Sequence, residues 1–552
     1  MRIASAFIAL FGCAGLGATT PVTPRADAAT PLGQWSPLLP LPLSPISGGI
    51  SPTGEILLFS GNSPGGWLFT NGGGNWTYYV VVSTDQLLNR KPIPLQGATT
   101  SEMFCPGTTN MPDGRILVNG GSGPVSAIMY DPAKKTFGPV ASMNVPRGYQ
   151  ANVLTTNNKV FTIGGSFVKK YGKYGFGGRD GELYTPDVNG LGSWAISNPK
   201  SGNIIGGMED SPSPDPEGIY RSDNHAWLVS YKSAAGDDMV LHLGPVKTMH
   251  NINTSKGTLT SLGPRGTDSY AINGGFVQYS PGRVFKTGGA TAYGNSQSSV
   301  GLAASKATYT IRFDTLPTGG AVQVRQNADM HNARTFCHSI VLPGGKIFVV
   351  GGQTNIHIFE DTNGVLTPEL YDPGSGVFTV LPAMQKARTY HSIALLTKDG
   401  TVLVGGGGAK ANKCSTPGKA PCTDAVHFDS EIYTPPNLTT GLPRPVITKL
   451  STGTPAPYNA VLLPFQSPLT ILATSCGNGC TYELLRLSSA THSVTNDQLR
   501  VPLQVTKRDA VNGDVAQIYR GDLPFVTGGY YYLFAISGQG VPSVAGMVKV
   551  VR

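Results

Sequence analysis

At 552 residues the chain is longer than one ordinary hydrophobic core accommodates, and roughly two to four domains are expected. Its 72 glycines and 43 prolines make up about a fifth of the residues while only 13% are charged, which argues for short strands and turns over helices. The formal charge of +9 is spread thinly, in pairs such as Lys169 and Lys170, without the interleaving of basic and aromatic residues that a nucleic-acid surface requires.

The first segment has a basic Arg2, a short apolar run and an Ala-x-Ala site at Ala26 to Ala28. It reads as a secretory signal over residues 1–28, too short for a mature membrane helix. "LFGC" offers an alternative, a lipid anchor through Cys13. No later segment is apolar and long enough to span a bilayer, so a secreted, soluble, monomeric protein is expected. Sequons at Asn75, Asn253 and Asn437 are consistent with that compartment.

From about residue 30 to 438 the chain repeats itself. "VPRGYQANVLTTNNKVFTIGG", "HNARTFCHSIVLPGGKIFVVGG" and "KARTYHSIALLTKDGTVLVGG" align, with 17 residues from Arg147 to Gly164, from Arg334 to Gly351 and from Arg388 to Gly405. Other glycine doublets close "RILVNGG" and "RVFKTGG", and Tyr130, Tyr184, Tyr371 and Tyr433 open "YDP" or "YTP" after several units. A strand, a polar turn, a second strand and Gly-Gly is how a kelch-type β-propeller blade reads, and the span holds seven blades of roughly 50 to 60 residues. The residue two after each repeat Arg is aromatic: Tyr149, Phe336 and Tyr390. Equivalent positions in a propeller share radius and depth, so if one ring reaches the axis the others are expected there too. After "NLTTGLPRPVITKL" the doublets stop, and alternating strands over 442–552 suggest an immunoglobulin-like β-sandwich. The expected fold is therefore all-β.

Seven cysteines suit an oxidising compartment. The short loops "KCSTPGKAPC" and "SCGNGC" predict disulfides Cys414–Cys422 and Cys476–Cys480, with Cys105 and Cys337 left unpaired.

The segments "SEMFCPG", "RGYQ", "FTIGGSF", "YRSDNHAW", "ARTYHS" and "SATHSVTNDQLRVPL" resemble, in order and at similar intervals, galactose oxidase and its relatives among the copper radical oxidases. That resemblance covers the chain from about residue 100 to the end. It implies one copper ion held by Tyr390 (axial), His391, His492 from the C-terminal domain, and Tyr149, the last joined to Cys105 by a thioether and carrying a tyrosyl radical. Two imidazoles, a phenolate and an open position suit Cu(II). The implied reaction is two-electron oxidation of a primary alcohol to an aldehyde: Tyr390 takes the hydroxyl proton, Tyr149 the carbinol hydrogen, and O2 leaves as H2O2. Phe167 would stack on the radical in place of a family Trp, and Arg221, Tyr293, Phe336 and Phe359 would line the substrate pocket.

Several positions depart from galactose oxidase. Gly294 replaces an amide side chain beside Tyr293, and Cys337 stands where the relative has His. Loss of sugar-facing donors predicts other primary alcohols, aliphatic or aryl, as substrates. A peroxidase that exchanges H2O2 is a conceivable partner. A glyoxal-oxidase-like aldehyde oxidase is the alternative within this fold, and a non-catalytic kelch propeller binding a glycan or protein is the alternative outside it.

Overall fold

The computed structural model describes residues 32–61, 76–165, 181–187, 189–197, 225–294, 299–408, 426–477 and 479–552. The signal segment, Cys13, Asn75, Phe167, Arg221, Cys414 and Cys422 lie outside them. Seven sheets of the described residues form the blades of a propeller. Their axial strands are, in chain order, Ser47–Ile50, Gly107–Asn110, Ala151–Leu154, Leu228–Lys232, Gly275–Ser280, Thr335–Val341 and Ser392–Leu396. Each blade meanders outward by antiparallel pairing, and burial falls along the way. Thr335–Val341 is buried at every position, whereas the outermost strand Val377–Val380 buries only Phe378. Inner strands are covered on both faces by neighbouring blades and read as continuous apolar or small residues, while outer strands alternate.

The ring closes by joining the two ends of the propeller. Gln34–Trp35 pairs with Asp429–Thr434 in the last blade, and the Trp35 indole donates to Pro382 O at 2.8 Å. Closure of this kind leaves no long unpaired edge between first and last blades.

The repeat Arg and Gly-Gly have a shared mechanical role. Arg147, Arg334 and Arg388 are fully buried. Each donates to the carbonyl of a glycine in or just after its own blade's second strand: Gly164 at 3.1 Å, Gly351 at 2.8 Å and Gly406 at 3.1 Å. Each also pairs with a buried carboxylate one strand further out, Glu182, Glu369 or Glu431. The Arg carbonyl in turn accepts an N–H from the preceding blade's doublet, as Gly352 N–H does toward Arg388 O at 2.8 Å. Gly351 has φ 73° and a Cβ there would collide with Arg388 O, so only glycine permits this approach. In the last blade the bonded doublet is Gly406–Gly407, one residue later than the sequence alignment at Gly405 suggests. Gly405 lies in regular strand, and the left-handed turn begins at Gly406.

The C-terminal region is a two-layer β-sandwich. One layer holds Val446–Ser451, Leu469–Thr474 and Asp514–Ile518; the other holds Thr481–Arg486, Gly529–Ile536, Gly546–Val551 and Ala460–Pro464. The long strand Arg500–Lys507 pairs into both. A core of Leu469, Ile471, Leu484, Val501, Leu533 and Val548 fills the space between them. Cys476 and Cys480 are disulfide-bonded, whereas Cys105 and Cys337 are buried free cysteines. One piece leaves the sandwich. The hairpin Ser489–Thr491/Val494–Asn496 pairs with the axial strand Ser47–Ile50 of the first blade, so the second domain enters the propeller's central channel.

Glu369→Ala would leave Arg334 buried with carbonyl partners only, and loss of one member of such a pair costs about 3–5 kcal/mol. The expected outcome is a lower urea-unfolding midpoint at unchanged slope, the slope multiplied by the shift giving that free energy.

Candidate metal centre

At one end of the channel, residues at or just before the axial strands, one in the loop between Gln353 and Glu369, and one at the hairpin tip carry an unusual backbone. Cys105, Tyr149, His225, Phe336, Phe359, His391 and His492 all have φ between 47° and 69°. Left-handed backbone is uncommon for bulky side chains, costs on the order of 1–3 kcal/mol each, and clusters where a site needs particular side-chain directions. Here it turns rings from separate blades and from the second domain toward one point.

Tyr390 and His391 adjoin at 3.9 Å between ring centroids. His492, at the tip of the axial hairpin, lies 4.8 Å from His391 and 5.7 Å from Tyr390. Tyr149 lies 5.2 Å from His492. Its phenol hydrogen-bonds to that of Tyr390, and its side chain also meets the Cys105 thiol. Their backbones touch as well, Tyr149 N–H donating to Cys105 O at 3.0 Å. Tyr293 Oη lies 2.8 Å from Tyr390 Oη. Phe336 and Phe359 pack on Tyr390 at 5.2 and 5.3 Å. Tyr149, Phe336 and Tyr390, equivalent in the repeat, thus share one depth.

Both candidate imidazole ligands are oriented from behind. His391 Nδ1 donates to Gly408 O at 2.9 Å, and His492 Nδ1 lies 2.7 Å from Thr491 Oγ1, itself 2.7 Å from Ser47 Oγ. The carbonyl partner fixes Nε2 as the lone-pair nitrogen of His391, and the hydroxyl partner orients the His492 ring with Nε2 toward the centre. Among the described residues His492 Nε2 is a buried atom with no hydrogen-bond partner. Burial holds the His391 imidazole down to about pKa 3 and drives that of His492 well below its ordinary value, so both rings are neutral ligands. Burial raises the Tyr149 and Tyr390 phenols well above their usual range, so a cation binding there must release their protons. No three His, Cys, Asp or Glu side chains gather as a metal site among the described residues. The centre therefore depends on phenol oxygens, and a donor set of two neutral imidazoles and phenols fits copper better than structural zinc.

Two residues of the centre were missed by sequence reasoning. Phe104 meets His391 at 5.5 Å and His492 at 5.2 Å, edge to face. His225 is 3% exposed, donates its N–H to Tyr149 O at 2.8 Å, packs edge-on against Tyr149 at 5.4 Å, and stacks on His492 at 5.8 Å. Both stand inside the quoted segments "SEMFCPG" and "YRSDNHAW". What was not legible is the backbone turn that points them inward. Phe167 and Arg221, expected to stack on Tyr149 and to bind substrate, lie outside the described residues.

An all-β propeller with an axial site of two imidazoles and two phenols beside a thiol has the donor set of a copper-dependent oxidoreductase. Known proteins agree. The chain is 32% identical over 550 residues to galactose oxidase of Gibberella zeae, covering 94% of this chain and 71% of that protein. The family model for the galactose oxidase-like early set domain matches residues 444–550, and that for the glyoxal oxidase N-terminus matches residues 278–425. A solved structure described as a novel fungal alcohol oxidase with catalytic diversity among the AA5 family, in complex with copper, superposes with a TM-score of 0.77 at 32% identity, covering 94% of this chain and all of that one. Aldehyde oxidase GLOX1 of Arabidopsis thaliana is 28% identical over 253 residues, 43% of this chain and 39% of that one. The chain belongs to the galactose oxidase family and is a copper-dependent oxidoreductase, which sets aside the non-catalytic propeller.

Glu102, three residues before Cys105, accepts from Phe104 N–H at 3.0 Å and from Thr77 Oγ1 at 3.2 Å, and its burial raises it to about 7. A carboxyl whose folded pKa exceeds its unfolded value stabilises the fold at low pH and loses that contribution as pH rises through the folded pKa. Between pH 4.5 and 7 the melting temperature of Glu102→Gln should therefore fall less with rising pH than that of the parent, as measured by calorimetry across that window.

Proposed function

We propose that this protein oxidises primary alcohols to aldehydes with reduction of dioxygen to hydrogen peroxide (RCH2OH + O2 → RCHO + H2O2), and that it favours aliphatic or aryl alcohols over galactose. The observation that carries this reading is the convergence of Tyr149, Tyr390, His391 and His492 from two domains, with Cys105 against Tyr149. Those four side chains would hold copper, which when bound would polarise the alcohol oxygen, lower its pKa and carry one of the two electrons.

The chain's own groups supply the rest. Tyr390 Oη, oriented by its hydrogen bonds to Tyr293 and Tyr149, is placed to receive the hydroxyl proton. Tyr149, once cross-linked to Cys105 and oxidised by one electron to its phenoxyl radical, would take the carbinol hydrogen atom, with dioxygen as the terminal electron acceptor. Cross-linking removes the thiol hydrogen and one ring hydrogen of Tyr149 and forms a C–S bond; the two electrons and two protons pass to dioxygen, giving H2O2. Cys105 and Tyr390 are buried and Tyr149 is partly buried, which limits the access of water to the reactive phenol.

Among the described residues, the side chains around Tyr390 are mostly apolar. Tyr293, Phe336, Ile356, Ile358 and Phe359 pack as one cluster with Tyr390. Gly294 has φ 107°, and a side chain there would strike Ile356, so the position expected to lack an amide is occupied by an aliphatic neighbour. A wall of this kind has little to offer sugar hydroxyls. The leader at residues 1–28 and the Cys476–Cys480 disulfide support secretion.

Aldehyde oxidation is the second reading, favoured by the glyoxal oxidase match over residues 278–425. Peroxide release from matched alcohol and aldehyde panels separates the two: the alcohol reading expects higher kcat/KM for primary alcohols, and an aldehyde preference would overturn it. Intact and peptide-level mass of the apoprotein before and after aerobic copper addition should show loss of two hydrogens, with the Cys105 and Tyr149 peptides joined under reducing conditions. Tyr390→Phe should retain copper and lower kcat by about 10²–10⁴-fold, the usual worth of a positioned proton acceptor.

A further inference from the structure

We propose that His338 is a positioning residue of the metal centre, fixing the hairpin that delivers His492 to the strand that follows His391. The inference rests on the copper reading for its consequence, but its geometry stands without metal.

His338 lies on the axial strand Thr335–Val341, two residues after Phe336 and beside Cys337. Strand alternation separates the two. Cys337 lies beside Thr287 of the preceding blade, with Sγ 3.8 Å from Thr287 Oγ1, whereas His338 meets the axis. Its ring is 1% exposed and bonded at both nitrogens: Nδ1 lies 2.9 Å from Thr495 Oγ1 on the hairpin, and Nε2 lies 3.3 Å from Ser392 Oγ, the residue after His391. Ser392 Oγ lies 3.3 Å from Ser493 Oγ, the residue after His492, and Ser493 Oγ donates to Thr389 O at 3.0 Å. Thr495 Oγ1 also donates to Ala394 O at 3.3 Å, so this hydroxyl joins the hairpin both to His338 and to the strand after His391. The chain of bonds therefore touches the immediate neighbours of both candidate imidazole ligands.

The hairpin is not held equally on all sides. Toward the first and second blades it has strand pairing to Ser47–Ile50 and the contact of Ser489 Oγ with Thr108 Oγ1 at 3.0 Å. Toward the third to fifth blades, Thr495, Asn496 and Gln498 line a cavity of about 40 Å³ shared with Asn152, Ser230 and Gln278. Val153, Leu228, Phe276 and Leu499 complete its wall, so the hairpin is packed less tightly on this flank than where strands pair. Toward the seventh blade the hairpin is held by Ser493 N–H to Ser392 O at 3.0 Å and Thr495 Oγ1 to Ala394 O at 3.3 Å, and His338 adds the tie from the sixth blade that joins Thr495 to Ser392. With a cavity on one flank, His338 thereby helps set how far the His492 tip sits from His391.

The test compares His338→Leu, which loses both bonds, with His338→Gln, which keeps a donor near Ser392. In metal-free protein, hydrogen–deuterium exchange over residues 489–496 should be faster in His338→Leu than in the parent and largely restored in His338→Gln. In the same variants copper affinity, from chelator competition, should drop by about 10–100-fold for Leu, as for other groups that orient metal ligands. The Cu(II) electron paramagnetic resonance spectrum should shift while far-ultraviolet circular dichroism does not. If Leu does not fold, Thr495→Val breaks the same network from the hairpin side and is read the same way. Unchanged hairpin exchange and an unchanged copper spectrum, with only a lower melting temperature, would overturn the proposal. Failure of the parent to give a copper spectrum with nitrogen coupling would sink the copper reading instead, and the exchange comparison would still decide the role of His338.

Discussion

Everything at the centre depends on one backbone pairing, that of Ser47–Ile50 in the first blade with Ser489–Thr491 of the C-terminal domain. A seven-bladed propeller has a channel along its axis, and inner strands facing it need a partner for their free edges and side chains. The hairpin supplies both. It adds strands to one blade and presses hydroxyls and a histidine against the others. Without that insertion Tyr149, Tyr390 and His391 would face an open channel with only one of the two candidate imidazole ligands.

The propeller repeat provides the precision that the insertion exploits. Each buried Arg ties the loop entering its blade to a glycine carbonyl and a carboxylate in that blade, while its own carbonyl holds the preceding blade. Loops tied in this way can sustain left-handed backbone at bulky residues, because the surrounding bonds outweigh a strain on the order of 1–3 kcal/mol per residue. The stiffness of the blades and the strained loop residues are two aspects of the same network.

Burial then sets the chemistry. The imidazoles are kept neutral and the phenols protonated in the metal-free protein, so ligation and proton release are coupled by the same loss of solvent. The hydroxyl partners behind the ligands, Thr491 with Ser47 on one side and Ser392 with Ser493 on the other, are all buried. Their hydrogen bonds are stronger for lack of competing water and costlier to lose.

Much of this could be read from the chain itself. Regular Arg-to-glycine spacing records a local unit, because each unit's bonds lie within a few dozen residues. Ordered motifs name Cys105, Tyr149, Tyr390, His391 and His492, because a donor set needs particular residue types. What the sequence could not contain is direction. His225 and Phe104 enter the centre through positive φ at His225 and at Cys105 beside Phe104, and a lone non-glycine residue carries no mark of that conformation. Nor does the fourfold glycine run reveal that its turn starts at Gly406. The link from His338 to Thr495 joins residues whose separation exceeds any local pattern. It exists only once the hairpin of one domain has been threaded into the channel of the other, since hydrogen bonds are decided by distance and angle, which only the assembled tertiary structure defines.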